Sequence, residues 1–160
     1  MLLTAIVEMP YGTAHKYEIR SGELFLDRVL PVGTPSNYGY IPGTLEEDGD
    51  ALDVFIYSRE SIPPKTRVIA QAVALIRGMD NGVRDDKLVA YVVPNETVDV
   101  ENVRSWIEHS LLPDIILYLG RYKKGFEVLG VSRSKKDIER AFKKSTENFI
   151  KMLEDERAKS

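Results

Sequence analysis

The sequence predicts an α+β fold, mainly β, in which a small closed or partly closed barrel carries two flanking α-helices. Three observations predict it. The first two thirds of the 160 residues hold short apolar runs punctuated by turn residues, whereas the last third has helical periodicity. Neither a linker nor an internal repeat divides the chain, so residues 1–160 are expected to form a single domain. A content of 43% hydrophobic and 29% charged residues is that of a chain that folds around a core.

The first element is an amino-terminal strand, Met1-Leu2-Leu3-Thr4-Ala5-Ile6-Val7, which meets Glu8 and has neither the basic start nor the cleavage site of a signal peptide. His15 to Arg20 alternates strictly, which places Tyr17 and Ile19 on one face and Lys16, Glu18 and Arg20 on the other. Ser21-Gly22 turns the chain into a strand over Leu24 to Leu30, where Arg28 shares a face with Leu24, Leu26 and Leu30. A strand-end arginine reaching solvent and a functional cation both fit that position. Gly33 to Gly43 is a long irregular loop, a common seat of function.

Val54-Phe55-Ile56-Tyr57 is a further apolar strand. Ile69 to Met79 and Lys87 to Pro94 form the arms of a hairpin around the turn signal Asp80-Asn81-Gly82. Strands of this number and length suit a closed sheet without exposed edges, and OB-like barrels fit the length. Two helices follow. Val100, Val103, Ile107 and Leu111 make one apolar stripe, and Ile138, Ala141, Phe142, Phe149 and Leu153 make the other, both expected to face the core. Ser134 with Asp137 resembles a capping box, and Pro113 is expected to break or kink the first helix.

Charge and composition exclude several classes of function. The net charge is −3, so no general basic field attracts nucleic acid or an anionic bilayer, and an anionic substrate needs a local cationic site. The absence of cysteine excludes disulfides, thiolate metal sites and cysteine nucleophiles, and makes the cytoplasm the default location. The longest uncharged stretch, Val29 to Leu45, contains three prolines and three glycines, which a membrane-spanning helix of about 20 apolar residues would not carry.

The chemistry concentrates in acidic clusters. Glu46-Glu47-Asp48-Gly49-Asp50-Ala51-Leu52-Asp53 holds five carboxylates in eight positions, which repel one another unless separately solvated or joined by a divalent cation. A solvated acidic loop has the same composition. An EF-hand fails in both registers, since Arg59 or Ala51 falls where Glu or Gly is obligatory. A regular strand cannot aim Asp48, Asp50 and Asp53 at one point, but Gly49 lets the backbone bend. Asp80, Asp85 and Asp86 form a second cluster at the hairpin turn, beside Lys87.

Hard carboxylates without a cysteine or histidine ligand set point to magnesium or manganese, and His15 and His109 read as incidental. Lys16, Arg28, Tyr38 and Lys87 are suited to hold phosphate oxygens, so a phosphate ester or anhydride is the expected substrate. No P-loop and no nucleophile-elbow serine occurs.

Taken together, Glu8-Met9-Pro10, Lys16-Tyr17-Glu18, Leu26-Asp27-Arg28, Asn37-Tyr38-Gly39-Tyr40-Ile41-Pro42, Asp48 to Asp53 and Asp80 to Lys87 resemble the soluble, family I type inorganic pyrophosphatases. The resemblance runs from Val7 to about Lys123, and its most specific piece is D-G-D-x-x-D following N-Y-G. It implies a five-stranded OB-like barrel with flanking helices and Mg2+-dependent hydrolysis of pyrophosphate to two phosphates by a metal-activated water, with Mn2+ or other divalent ions possible. It also implies a homo-oligomer, commonly a hexamer, with no nucleic-acid or membrane partner.

Carried over by position, Asp48, Asp53, Asp80 and Asp85 resemble the metal ligands, Glu18 supports the metal and Asp50 resembles the general base. Lys16, Arg28, Tyr38, Lys87, Tyr122 and Lys123 resemble the substrate-holding groups, with Glu8 and Tyr40 peripheral. The chain departs from the family pattern at Thr34, where tyrosine is usual, at Asn81 and at Ala51. Tyr118 competes for the role of Tyr122. Two alternatives stay open, a metal-dependent nucleotide phosphoanhydride hydrolase and an OB-like single-strand nucleic-acid binder using Tyr38, Tyr40 and Phe55.

Overall fold

The computed structural model describes residues 1–93 and 99–160. In chain order the elements are β1 (Leu2–Met9), β2 (His15–Arg20), β3 (Glu23–Val29), β4 (Asn37–Tyr40), β5 (Asp53–Tyr57), β6 (Arg67–Asp80), β7 (Val83–Arg84) and β8 (Lys87–Val92). After them come α1 (Val100–Trp106), a π-helical turn (Ile107–Leu111), α2 (Leu112–Tyr122), β9 (Phe126–Ser132) and α3 (Lys135–Lys159).

Five strands close into a ring in the order β1-β4-β5-β8-β6, and β6 returns to β1. The mainly-β fold with flanking helices is the one the sequence predicts. β6 makes closure possible because it is 14 residues long. Its first residues pair with β1, its middle with β8 and its last with β9. Register shifts near Ala72 and Gly78 bend it between these partners. β2 and β3 form a separate hairpin.

Alternation along the ring strands divides the core. Val54, Ile56, Leu88 and Ala90 pack on one face with Leu3, Ala5, Val7 and Ile138 of α3. Phe55, Val89 and Tyr91 pack on the other with Ile115, Tyr118 and Leu119 of α2. β8 is therefore buried on both faces, which is why it reads as an unbroken apolar run.

Two local expectations are corrected. The helical stripes are core only in part: Val100 and Leu153 are 43% and 46% exposed, because apolar periodicity marks a face without supplying a partner to cover its whole length. The capping box is half formed. Ser134 accepts from the Asp137 N–H, but the Asp137 carboxylate turns to Ser132 Oγ at 2.7 Å and Arg77 at 3.1 Å. The first helix is interrupted next to Pro113, as expected: a π turn in which the Leu112 N–H donates to the Ile107 carbonyl separates α1 from α2. The hairpin turn is as expected, with Asn81 and Gly82 both at positive φ (50° and 84°) as a two-residue I′ turn requires. Pro94, the expected end of the second arm, lies outside the described residues.

Two residues of β4 hold the long loop to the ring. A Cβ on Gly39 would overlap the Ile6 carbonyl, so only glycine lets β4 lie this close to β1. Asn37 is fully buried, and its Oδ1 accepts from the N–H groups of Tyr11 and Ile62, each at 2.9 Å. Its Nδ2 donates to the carbonyls of Ile56 and Glu60, both at 3.3 Å. Asn37→Ala leaves these groups unpaired and is expected to lower stability by about 3 kcal/mol, read as a lower urea midpoint with unchanged slope.

Candidate active site

The D-G-D segment is a tight turn. The Glu46 N–H donates to the Asp50 carbonyl at 2.7 Å and the Gly49 N–H to the Glu46 carbonyl at 3.1 Å, with Gly49 at φ 87°. Asp48 Oδ1 accepts from the Asp50 N–H at 3.0 Å, an Asx turn that fixes the direction of the Asp48 carboxylate. α3 buttresses this turn, since Leu45 N–H donates to the Ser145 carbonyl and Ser145 Oγ to Glu46 at 3.1 Å.

Beside the turn lies a cavity of about 250 Å³ whose walls include Glu8, Lys16, Glu18, Tyr38, Asp50 and Asp53. Lys16 and Tyr38 also line an adjoining, smaller and more apolar cavity of about 30 Å³ with Arg28, Tyr118, Tyr122 and Lys123. The β2–β3 hairpin supplies Lys16, Glu18 and Arg28, and Lys16 pairs with Arg28 across it in register. Asp27 lies 3.8 Å from Lys16 and 3.7 Å from Arg28. The hydrophobic side of α2 supplies Tyr118 and Tyr122, and the residue after it is Lys123.

A fully buried ammonium joins the two acidic clusters. Lys87 Nζ donates to Asp53 at 2.5 Å and to Asp85 at 2.8 Å. The parallel pairing of β5 with β8 sets Asp53 directly beside Lys87. Lys123 adds a second cation, 3.2 Å from Asp85 and 3.9 Å from Asp80. Asn81 holds this corner, donating to Asp80 Oδ1 at 3.1 Å through its side chain and to the Gly125 carbonyl through its backbone.

The electrostatics follow from these contacts. Burial alone would raise the Asp85 carboxyl, but Lys87 and Lys123 outweigh it and hold the group below its ordinary value. Burial works against the Lys87 ammonium, yet Asp53 and Asp85 beside it keep it well above the usual lysine range. Lys123, enclosed and close to Lys87, falls to about 8. Asp48 and Asp50 are both raised by burial and by neighbouring carboxylates, Asp53 and Asp85 among them. Burial raises Glu8 to about 7 despite the hydrogen bond it accepts from the Ile19 N–H.

The predicted residues are brought near one another, with lysines standing between the carboxylates. Among the described residues, no three acidic or histidine side chains stand arranged around one metal position. Lysines occupy the places between carboxylates, and Glu18 is turned to Arg20 at 2.6 Å. The donor set nevertheless fits a hard divalent cation. Asp53 and Asp85 already share one cationic centre, and the raised Asp48 and Asp50 carboxyls mark a surplus of unneutralised oxygens. Sequence reasoning missed Lys87 as the ion-pair hub, because its burial depends on strand register, and it left Tyr118 as a mere competitor.

Glu8 gives the site a pH signature. Its folded-state carboxyl titrates near 7 against an ordinary 4.5, so the stability it contributes is fully present below about pH 4.5 and is lost as the pH rises through about 7. Glu8→Gln is expected to flatten the fall in melting temperature between pH 5 and 7.5 in metal-free buffer. The fall is reduced rather than abolished, because burial also raises Glu46 to about 7.

Comparison with known proteins agrees with this geometry. The family model described as "Inorganic pyrophosphatase" matches residues 5–154. An inorganic pyrophosphatase of Nanoarchaeum equitans is 33% identical over 94% of this chain and 99% of its own length. Soluble inorganic pyrophosphatase 2 of Chlamydomonas reinhardtii is 30% identical over 92% of this chain and 83% of its own. The inorganic pyrophosphatase of Helicobacter pylori superposes with a TM-score of 0.83 at 26% identity, covering 92% of this chain and 93% of that one. With a fold, a carboxylate turn and a cationic rim that agree with these matches, the chain belongs to the inorganic pyrophosphatase family.

Proposed function

We propose that this protein hydrolyses inorganic pyrophosphate to two phosphates, with Asp50 as general base. The observation that carries this reading is the joining of the two cavities at Lys16 and Tyr38, with Asp50 and Asp53 on one side and Arg28, Tyr122 and Lys123 on the other. A diphosphate has the charge to lie along such a rim, with its bridging oxygen near the carboxylates.

Asp48, Asp53, Asp80 and Asp85, with Glu18 in support, would hold Mg2+ or Mn2+. When bound, such ions lower the pKa of water and offset charge on phosphate oxygens. Asp50 takes the proton of the attacking water on a carboxylate oxygen. Its value, raised by burial and by Asp53, suits that role better than an ordinary surface aspartate. Lys16, Arg28, Tyr38, Tyr122 and Lys123 bind the phosphoryl oxygens and stabilise charge as the leaving phosphate departs. Lys87 stays out of the substrate's reach and orients Asp53 and Asp85. No protein nucleophile is needed, since water attacks phosphorus in line as the bridging bond breaks.

A homohexamer acting in the cytoplasm completes the proposal. Absence of cysteine and the relatives' description as soluble favour that location. Among the described residues, no helix is long and apolar enough to cross a membrane. Trp106, 44% exposed and stacked on Tyr57, and Leu117, 49% exposed, offer apolar surface for subunit contact. Sedimentation velocity is expected to give one species near six times the chain mass.

Phosphate release from magnesium pyrophosphate tests the activity. Wild type is expected to turn over and Asp50→Asn to lose about 100-fold or more in kcat. A wild type silent with both Mg2+ and Mn2+, or an Asp50→Asn variant at full rate, overturns the reading. Faster hydrolysis of nucleoside triphosphates than of pyrophosphate would replace it with the nucleotide alternative.

A further inference from the structure

We infer that Tyr118 is a substrate-binding and specificity-determining residue, its hydroxyl donating a hydrogen bond to a terminal phosphate oxygen in the smaller cavity. The inference rests on the pyrophosphatase reading above and gives Tyr118 a role beside Tyr122 rather than in its place.

Packing fixes where the hydroxyl points. Tyr118 lies one helical turn before Tyr122, so the two share a face of α2. Its ring meets Phe55 edge-on at 6.3 Å and 88°, and leans on Tyr122 at 6.4 Å. The residue is only 9% exposed and belongs to the cluster that α2 makes with the sheet. A ring held on two sides has little freedom to turn its oxygen elsewhere.

The hydroxyl itself is unengaged. Among the described residues no group hydrogen-bonds it, and no fully enclosed side-chain oxygen or nitrogen lacks a partner, so this oxygen opens on the cavity. Much of the lining there is apolar, with Met9, Leu30 and Leu119 beside it. A phenylalanine would satisfy those neighbours, and a phenol there without a ligand gains nothing to offset its lost hydration. Arg28 and Lys87 lie close enough for their charges to act on the phenol, so the donor faces the same region as the cations. Burial pushes the hydroxyl to about 12, which keeps it a proton donor throughout the neutral range.

Two further observations make the residue selective. Thr34 is 2% exposed, donates to the Ser36 carbonyl at 3.0 Å and does not line the cavity, so the hydroxyl donors there are the phenols of Tyr38, Tyr118 and Tyr122. The cavity volume of about 30 Å³ admits a water-sized group or two. A phosphate oxygen fits and a ribose does not. The chemical class selected is thus an unsubstituted terminal phosphate, and an unpaired phenol penalises ligands that present no oxygen there.

Tyr118→Phe keeps the ring and removes only the oxygen. The expected result is a KM for magnesium pyrophosphate raised about tenfold, as for loss of a hydrogen bond to a charged group, with the melting temperature unchanged. The dissociation constant of methylenediphosphonate, measured by calorimetry, is expected to rise by the same factor. The dissociation constant of a diphosphate esterified at both ends, which offers no unsubstituted terminal phosphate, is expected to stay the same in Tyr118→Phe, so that the preference for methylenediphosphonate over it falls about tenfold. Unchanged KM and dissociation constant in Tyr118→Phe overturn the inference, as does a loss matched by a lowered melting temperature, which would make the oxygen structural. A wild type without hydrolytic activity overturns the reading on which the inference rests, and the methylenediphosphonate titration then still decides whether Tyr118 binds a diphosphate.

Discussion

A single ammonium without solvent exposure, Lys87 Nζ, stands between the carboxylates of Asp53 and Asp85, and the site is built around it. A lysine buried in this way persists only if it is paired, and a carboxylate left in such a place without its partner costs about 3 to 5 kcal/mol. Asp53 and Asp85, 32 positions apart in the chain, are thereby obliged to meet. The register of β5 against β8 makes the meeting possible by setting Asp53 and Lys87 side by side, and the short β7 turn brings Asp85 to the same point.

The surroundings of this ion group are rigid on one side and open on the other. Beneath it, β8 is buried on both faces and Phe126 lies under both Lys87 and Lys123, with ring centroids 5.7 and 4.9 Å from the two ammonium groups. Above it are a turn and a hairpin. The backbone of the D-G-D turn is braced by its own hydrogen bonds and by Ser145 of α3. The β2–β3 hairpin is paired only with itself and brings Lys16, Glu18 and Arg28 over the cavity. Acidic groups thus sit on the closed ring and the π-braced helix carries aromatic donors, while much of the positive charge stands on a peripheral hairpin. A substrate that carries several negative charges is held between the two, and the raised Asp48 and Asp50 carboxyls express the repulsion that a cation relieves.

The carboxylate turn was legible because its signal is local: crowded acids, a glycine able to take positive φ, and an apolar strand immediately after. The Asn81-Gly82 turn was legible for the same reason. Where the reading went astray, a distant contact outweighed a local preference. Asp137 left the expected cap because Arg77 and Ser132, from β6 and β9, offer its carboxylate charge and a hydroxyl. The interruption beside Pro113, in contrast, was legible because it is local: a π turn moves the hydrogen-bond pattern out of register just before the proline. Val100 and Leu153 fall on the apolar stripes yet stay exposed, since periodicity names a face and not what covers it.

By itself the sequence determined the fold class, the acidic and basic inventory, and the absence of thiol chemistry, since each depends on residue type and on spacing within one element. Only the tertiary structure decided which charges neutralise one another, that Lys87 serves the protein's own carboxylates, and that the Tyr118 oxygen faces a cavity while Thr34 turns inward. Those outcomes depend on strand register and on how α2 packs across the ring. Register and packing place residues far apart in the chain within a few ångströms, the range over which burial and charge set both ionisation and binding.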